Sequence, residues 1–423
     1  MAYYLLLIFA IYLPFQVALN PLPGIDLASI RLFSLVIGLI WLAESLRRKR
    51  LFVPANWTTS LLSSVIFLSL LSLFFADNLA WGVRKALFLL SFLPLYLVVS
   101  DLARNRKSRI GILVALASGA LGTALIGLFQ FSLQFVLGLD TVLNRWQGLA
   151  KVFLGTEFSQ TVLDYPSWLV SVGGQDYFRA IGFFPDPHMF AMYLGLLLPI
   201  AIGLSFSSFH NKKNWHALFF AIAATAIFLA AMLTFSRGIY VGLGMGLLWT
   251  ALIKRRSLST KTKLSLAAFL ILIGVALSFS PMATRLFSSF DTAEGSNAER
   301  AQNWQQAIQI IQLHPILGVG LGNYSTAIVP GVDYRNPIYA HNTYLDLAAE
   351  TGILSALLFV LLLGVSIKIL LKKNAGTLQL GIAASLVIFA AHSFFETGLY
   401  SVHVLPVLLI LFGLASSTDS PQS

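Results

Sequence analysis

Apolar runs recur along the chain at 3–19, 28–46, 59–76, 83–102, 109–137, 184–208, 215–235, 237–253, 262–280, 353–373, 378–398 and 402–417. Most are close to the 17–25 residues that a helix needs to cross the hydrocarbon of a bilayer. The pattern therefore predicts an all-α, polytopic membrane protein with about 12 transmembrane helices in one integral membrane domain over 1–423. Composition agrees, because 57% of the 423 residues are hydrophobic and only 11% are charged. A single soluble core could not hide that much apolar surface, so the solvent is lipid. The chain opens on an apolar run with no Lys or Arg before it, which reads as a retained first span and not as a cleavable signal.

Charge then orients the bundle. Of the 28 basic residues, 18 fall in alternate short loops, at 47–50, 104–109, 212–213, 254–263 and 368–373. The positive-inside rule places those loops and both termini in the cytoplasm. The net charge of +11 is thus a topology signal, and no nucleic-acid partner is implied. There is no cysteine, so disulfides and thiolate–metal sites are excluded.

Two outward segments are long, 138–183 and 281–352, and loops of this length inside a compact bundle are usually functional. Both are rich in aromatics: Trp146, Tyr165, Trp168 and Tyr177 in the first; Trp304, Tyr324, Tyr334, Tyr339 and Tyr344 in the second. Exposed aromatic faces would suit sugar rings; the alternative is that these residues mark the membrane interface. Within the second loop, Ser296 to Glu299 reads as a capping box. Trp304, Ile308 and Ile311 then recur at helical spacing, predicting an amphipathic helix on the outer membrane surface. It stops at His314-Pro315. The glycine-rich stretch that follows, Gly318 to Gly322, lacks the Lys-Ser/Thr of a phosphate loop and reads as a tight turn.

The residues able to do chemistry cluster at outward helix ends. Asp186 and His188 open span six, just after Arg179. Ser236 and Arg237 close span seven. His341, Asn342, Asp346 and Glu350 enter span ten, and His392 and Glu396 end span eleven. Ionisable groups at such depth are costly in lipid and tend to be functional. Arg237 lies in an otherwise membrane-like segment and needs an anionic partner; phosphate suits it, because a guanidinium binds phosphate bidentately and stays charged. Snorkelling to the interface is the alternative. Arg179 is a second phosphate candidate, with outward Arg84 and Lys85 as further ones. His341 is a candidate general base, and Asp346 and Glu350 follow it at i, i+4 spacing on one helical face. His392 and Glu396 share that spacing, but two residues on one helix are too few to argue a metal, and a hydrogen-bonding role fits them better. No metal and no cofactor is implied.

At these residues the chain resembles a known family. Arg300, Trp304 and His314-Pro-Ile-Leu-Gly-Val-Gly-Leu-Gly-Asn-Tyr324, then His341-Asn-Thr-Tyr-Leu345 and Glu350-Thr-Gly352, look like the signature of the bacterial O-antigen ligase and polymerase superfamily, with its core at about 235–360. The segments around Arg237 and from Arg179 to His188 are similar to that family's as well. The resemblance implies a glycosyltransferase of the bacterial inner membrane with a periplasmic active site. Its donor would be an undecaprenyl diphosphate-linked glycan, and its acceptor lipid A-core or another glycan. In such ligases two outward arginines are thought to hold the diphosphate and a loop histidine to activate the acceptor; those roles map onto Arg179, Arg237 and His341. The chemistry agrees: two fixed guanidiniums stabilise the leaving diphosphate without a metal, and direct attack inverts the anomeric carbon.

The lower-ranked contributors to that site are Arg84, Lys85, Asp186, His188, Arg300, Trp304, Tyr324, Asn342, Asp346, Glu350, His392 and Glu396. A polymerase of the same superfamily is the nearest alternative. Some polymerases are described as having outward Arg–x10–Gly elements, and no outward Arg here has Gly eleven positions on, which tilts the reading toward ligase. A transporter or flippase is the alternative from another class. It would place ionisable groups at the midplane and carry inverted repeats with broken helices, neither of which the sequence shows.

Overall fold

The computed structural model describes residues 1–22, 25–164, 167–254, 295–333, 337–372 and 375–419. In chain order the helices are α1 (Ala2–Tyr12), α2 (Ser29–Arg47), α3 (Trp57–Leu71), α4 (Leu79–Leu102), α5 (Arg106–Leu137), α6 (Leu139–Leu154), α7 (Thr156–Asp164), α8 (Pro187–His210), α9 (Asn214–Met232), α10 (Arg237–Lys254), α11 (Gly295–Leu313), α12 (Tyr324–Ile328), α13 (Thr343–Thr351), α14 (Ile353–Leu370), α15 (Thr377–His392) and α16 (Val404–Asp419). Every expected span coincides with one of these helices except 262–280, which lies outside the described residues, as do Tyr165 and Tyr334. Among the described residues, seven helices are long and apolar enough to cross a membrane: 29–47, 57–75, 79–102, 106–137, 187–210, 214–232 and 353–370.

Local chemistry sets where several helices begin. Asn56, Asn78, Asn105, Asp186 and Asn342 each turn a side-chain oxygen onto a backbone N–H of the first turn of α3, α4, α5, α8 and α13. Such caps satisfy donors that have no partner inside the helix and are each worth about 1 kcal/mol. α8 is buried on nearly every side and packs against α5, α9, α10 and α15, so it forms the centre of the bundle. A helix apolar all round belongs there.

Polar fasteners tie one end of the bundle together. The Met1 amino group meets Glu44 at 2.7 Å, Trp41 Nε1 donates to Asp101 at 2.9 Å, and Asn56 Nδ2 donates to Ser416 Oγ at 2.7 Å. Thr59 and Tyr96 share a 2.6 Å hydroxyl contact that joins α3 to α4. These bonds bring both chain termini to one end of the bundle. The polar residues singled out at the ends of α4, α8, α10 and α15 lie at the other.

The sequence expectation needs three corrections and one addition. The first helix stops at Tyr12, with a 3₁₀ turn to Phe15, and 18–28 form a β-hairpin (β1, Ala18–Leu22; β2, Ile25–Ala28). Pro14 and Pro21 cannot donate to a continuing helix. A second hairpin (β3, Leu169–Val172; β4, Gln175–Phe178) stands in the first long loop, a small addition to an architecture that is all-α as expected. The amphipathic face of α11 is rotated from the expected one: Ala307 and Ile310 are buried and Ile308 is exposed. Finally, α15 ends at His392, so Glu396 lies in the following turn and not one helical turn above His392.

The first long loop has its own small core. Trp146, Phe153, Trp168, Phe178 and Ile181 pack together, and the two indoles donate to Gly182 O and Pro185 O. The second loop has another, in which Trp304 and Tyr324 pack with Ala307, Ile310, Val319, Ala340 and Ala349. The aromatic faces of Trp146, Trp168 and Tyr324 are therefore spent on these cores and are not open to sugar.

Candidate active site

The site is built at the end of the bundle opposite Met1 and Ser416. α5 runs for 32 residues, about 48 Å at 1.5 Å per residue, against a hydrocarbon thickness of about 30 Å. It is thus longer than a crossing requires, and its last turns carry two buried amides. Gln130 donates to Arg179 O at 3.0 Å and accepts from Ile181 N and Gly182 N, both at 3.1 Å. Gln134 donates to Phe178 O and accepts from Phe178 N. Together the two side chains clamp the backbone that presents Arg179.

The Arg179 side chain is buried and turned toward the connection between α9 and α10. Its Nε donates to Thr234 O at 2.6 Å and its Nη1 to Ser167 O at 3.0 Å. Arg237 opens α10 three residues beyond Thr234 and is itself buried. The next residue, Gly238, lies so close to the His392 ring that a Cβ there would stand 2.4 Å from its Cδ2. Only a residue without a side chain lets α10 approach α15 in this way. Ser236 completes the turn, with its hydroxyl 3.0 Å from His188 Nδ1.

Glu396 is the hub. Its Oε2 lies 3.2 Å from His341 Nδ1, while its Oε1 lies 3.0 Å from Arg300 Nη2 and 3.5 Å from His188 Nδ1. The carboxylate is 5% exposed and the His341 side chain 45%, so the acid is interior and the imidazole reaches the surface. Burial alone would raise the Glu396 pKa, but His188, His341 and Arg300 outweigh it and hold the carboxyl well below the usual range. Burial likewise opposes the His341 imidazolium, yet the charge and hydrogen bond of Glu396 overcome this and raise its pKa.

α13 fixes the relative positions of these groups. Asp346 accepts from Ala340 N, just before His341, and from the Thr397 hydroxyl, just after Glu396. Burial pushes Asp346 up to about 6, against the pull of these two hydrogen bonds. Thr343 donates its N–H to Ser393 O at 2.9 Å and its hydroxyl to Glu396 O at 2.8 Å.

Several expected substrate contacts are engaged within the protein. Asp186 and Asn342 serve as helix caps, and the Tyr324 hydroxyl donates to Asn303 O. Lys85 Nζ lies 2.7 Å from both carboxylate oxygens of Glu350 and 3.3 Å from the centre of the Tyr400 ring. Tyr400 also donates to Glu350. Beside this pair opens a cavity of about 370 Å³, lined among others by Trp81, Arg84, Lys85, Tyr339, Glu350 and Tyr400. Sequence reasoning missed Gln130, Gln134, Tyr400 and also His403, which lines the same cavity with its ring on Phe184. The signal available was the spacing of Gln130 and Gln134, two amides one turn apart in an apolar run.

Residues 219–360 match the family model described as O-antigen ligase. The match spans α9 to α14 and takes in Arg237, Arg300, His341 and Glu350; Arg179 and Glu396 lie outside it. The match, over about a third of the chain, supports the motif resemblance to the O-antigen ligase superfamily, and the described residues around it hold several helices apolar enough to cross a membrane. No curated protein matches the chain.

Proposed function

We propose that the protein is an O-antigen ligase-type glycosyltransferase. It moves a glycan from undecaprenyl diphosphate to a sugar hydroxyl of lipid A-core, at the periplasmic face of a bacterial inner membrane. The observation that carries this reading is the meeting of half-exposed His341 with Glu396, the partly buried Arg300 and His188, beside the turn of Thr234 to Arg237 that brings the buried Arg179 and Arg237 to the same end of the bundle. Polar groups gathered at one end of a helix bundle suit a reaction at a membrane surface better than a path through the membrane.

In this reading Arg179 and Arg237 bind the donor diphosphate. Neither can lose its charge at neutral pH, and burial strengthens their pull on the charge that grows on the leaving group. His341 takes the proton from the acceptor hydroxyl. The acceptor oxygen bonds to the anomeric carbon as the bond to the diphosphate oxygen breaks, so undecaprenyl diphosphate departs and configuration inverts. The protein's own cations supply the electrostatic stabilisation, and no metal enters this scheme.

The test is transfer in vitro with purified protein, an undecaprenyl diphosphate-linked glycan and chelator, with lipid A-core present in one sample and absent in the other. Product that requires lipid A-core is expected. Lengthened lipid-linked glycan without it would make the protein a polymerase, and no transfer from a matched donor would overturn the enzyme reading.

A further inference from the structure

We propose that Glu396 is a positioning residue for transfer, holding His341 so that its Nε2 alone takes the acceptor proton. The proposal rests on the reading of His341 as the base and goes beyond it by naming the group that makes that histidine competent.

The geometry is specific. An ionised carboxylate can only accept hydrogen bonds, so at 3.2 Å from Oε2 the His341 Nδ1 must carry a hydrogen and donate it. That assigns the tautomer: Nδ1 is committed to Glu396, and Nε2 holds the lone pair. Arg300 on the other oxygen, at 3.0 Å, favours the ionised state that this arrangement needs. Glu396 is also faced by His188 from α8; among the described residues Asp186, Asp346 and His392 are further titratable groups nearby, and Arg179 bears on His188 alongside Arg300.

The protein is built to keep this pair in register. Glu396 is in a turn, where an unsupported side chain would sample many positions. That turn is bonded to α13 through Thr343, twice, and through Thr397 to Asp346, which also holds the backbone before His341. Acid and base are thus fixed to the same short helix. When the acceptor O–H is deprotonated, the proton moves to Nε2 and the imidazolium is stabilised by Glu396, which stays ionised. The new bond joins the acceptor oxygen to the anomeric carbon, and the electron pair of the broken bond leaves on the diphosphate.

The experiment compares Glu396→Gln and Glu396→Asp with the parent protein in detergent. Transfer kinetics are measured across pH, alongside modification of His341 by diethyl pyrocarbonate, which attacks neutral imidazole, followed by peptide mass spectrometry. Glu396→Gln is expected to lower kcat by about 10²–10⁴-fold, with donor KM changed only a few-fold. The pH midpoint of His341 modification should fall, and Glu396→Asp should restore part of the rate. The modification readout needs no turnover, and Glu396→Asp keeps the charge should the glutamine variant fold poorly. An unmoved midpoint and a near-normal kcat in Glu396→Gln, with His341→Ala inactive, would overturn the positioning role while leaving the proposed function standing. Full activity in His341→Ala would instead overturn the function reading, and with it the base that Glu396 is said to position.

Discussion

Lys85 and Glu350 form a buried ion pair whose energetics can be worked from the structure. The two side chains are 13% and 3% exposed, with Nζ 2.7 Å from a carboxylate oxygen. At an effective dielectric constant of about 20, unit charges at this separation attract by about 6 kcal/mol. Desolvation costs several kcal/mol per ion, so the pair as a whole is close to neutral relative to apolar replacements. Breaking it is another matter, because truncating one partner leaves a buried, uncompensated charge and costs about 3–5 kcal/mol. Lys85→Met and Glu350→Gln should therefore each destabilise strongly, while the double variant should be more stable than either single one. The assay is reversible unfolding in mixed micelles with increasing SDS, followed by circular dichroism, for all four proteins of the cycle. Additivity of the two single effects to within about 0.5 kcal/mol would refute the reasoning. Lys85 would then be open to the role of phosphate ligand that its sequence position suggested.

Other predictions follow from the site. Arg237→Ala and His341→Ala should each abolish glycan transfer while leaving membrane insertion unchanged; full transfer by either variant would remove its assigned role. The raised pKa of His341 gives two pH effects of opposite sign. Transfer, which needs the neutral base, should rise with pH through a midpoint above the ordinary histidine value of about 6.5. The stability that the imidazolium draws from Glu396 should be complete below that ordinary value and be lost as pH rises through the raised one. A rate profile and a melting series over the same range test both, and a rate that fell across this window would count against His341 as base.

The apolar runs announced the bundle because lipid forces every spanning backbone to bond within itself, and only helices of a certain length do so. What escaped was set by distant partners. Ser393, Phe394 and Phe395 continue an apolar pattern, so nothing nearby shows that α15 ends at His392; Thr343 and Asp346, some fifty residues upstream, decide it. The triad of Arg179, Arg237 and His341 was readable as residue types. The link of His341 through Glu396 to Arg300 and His188, and the support of Arg179 by Gln130 and Gln134 near the end of α5, depended on which helices pack together. The hairpin at 18–28 was hidden because its strands continue the hydrophobic run of α1.

Among the described residues, four other than glycine adopt left-handed backbone conformations: Lys49, Lys212, Phe235 and His341. Lys49 and Lys212 follow the ends of α2 and α8, where such a conformation is an ordinary way for a helix to finish. Phe235 and His341 instead lie in the turns that present Arg237 and the base. Each is held in a region that costs of order 1–3 kcal/mol, and which only glycine enters without strain. Phe235 is anchored by packing against Val170 and Val172, and His341 by the contact of its Nδ1 with the buried Glu396. Glycine at 341 would relieve the backbone but leave that carboxylate short of a partner, so the strained angle and the pair stand or fall together.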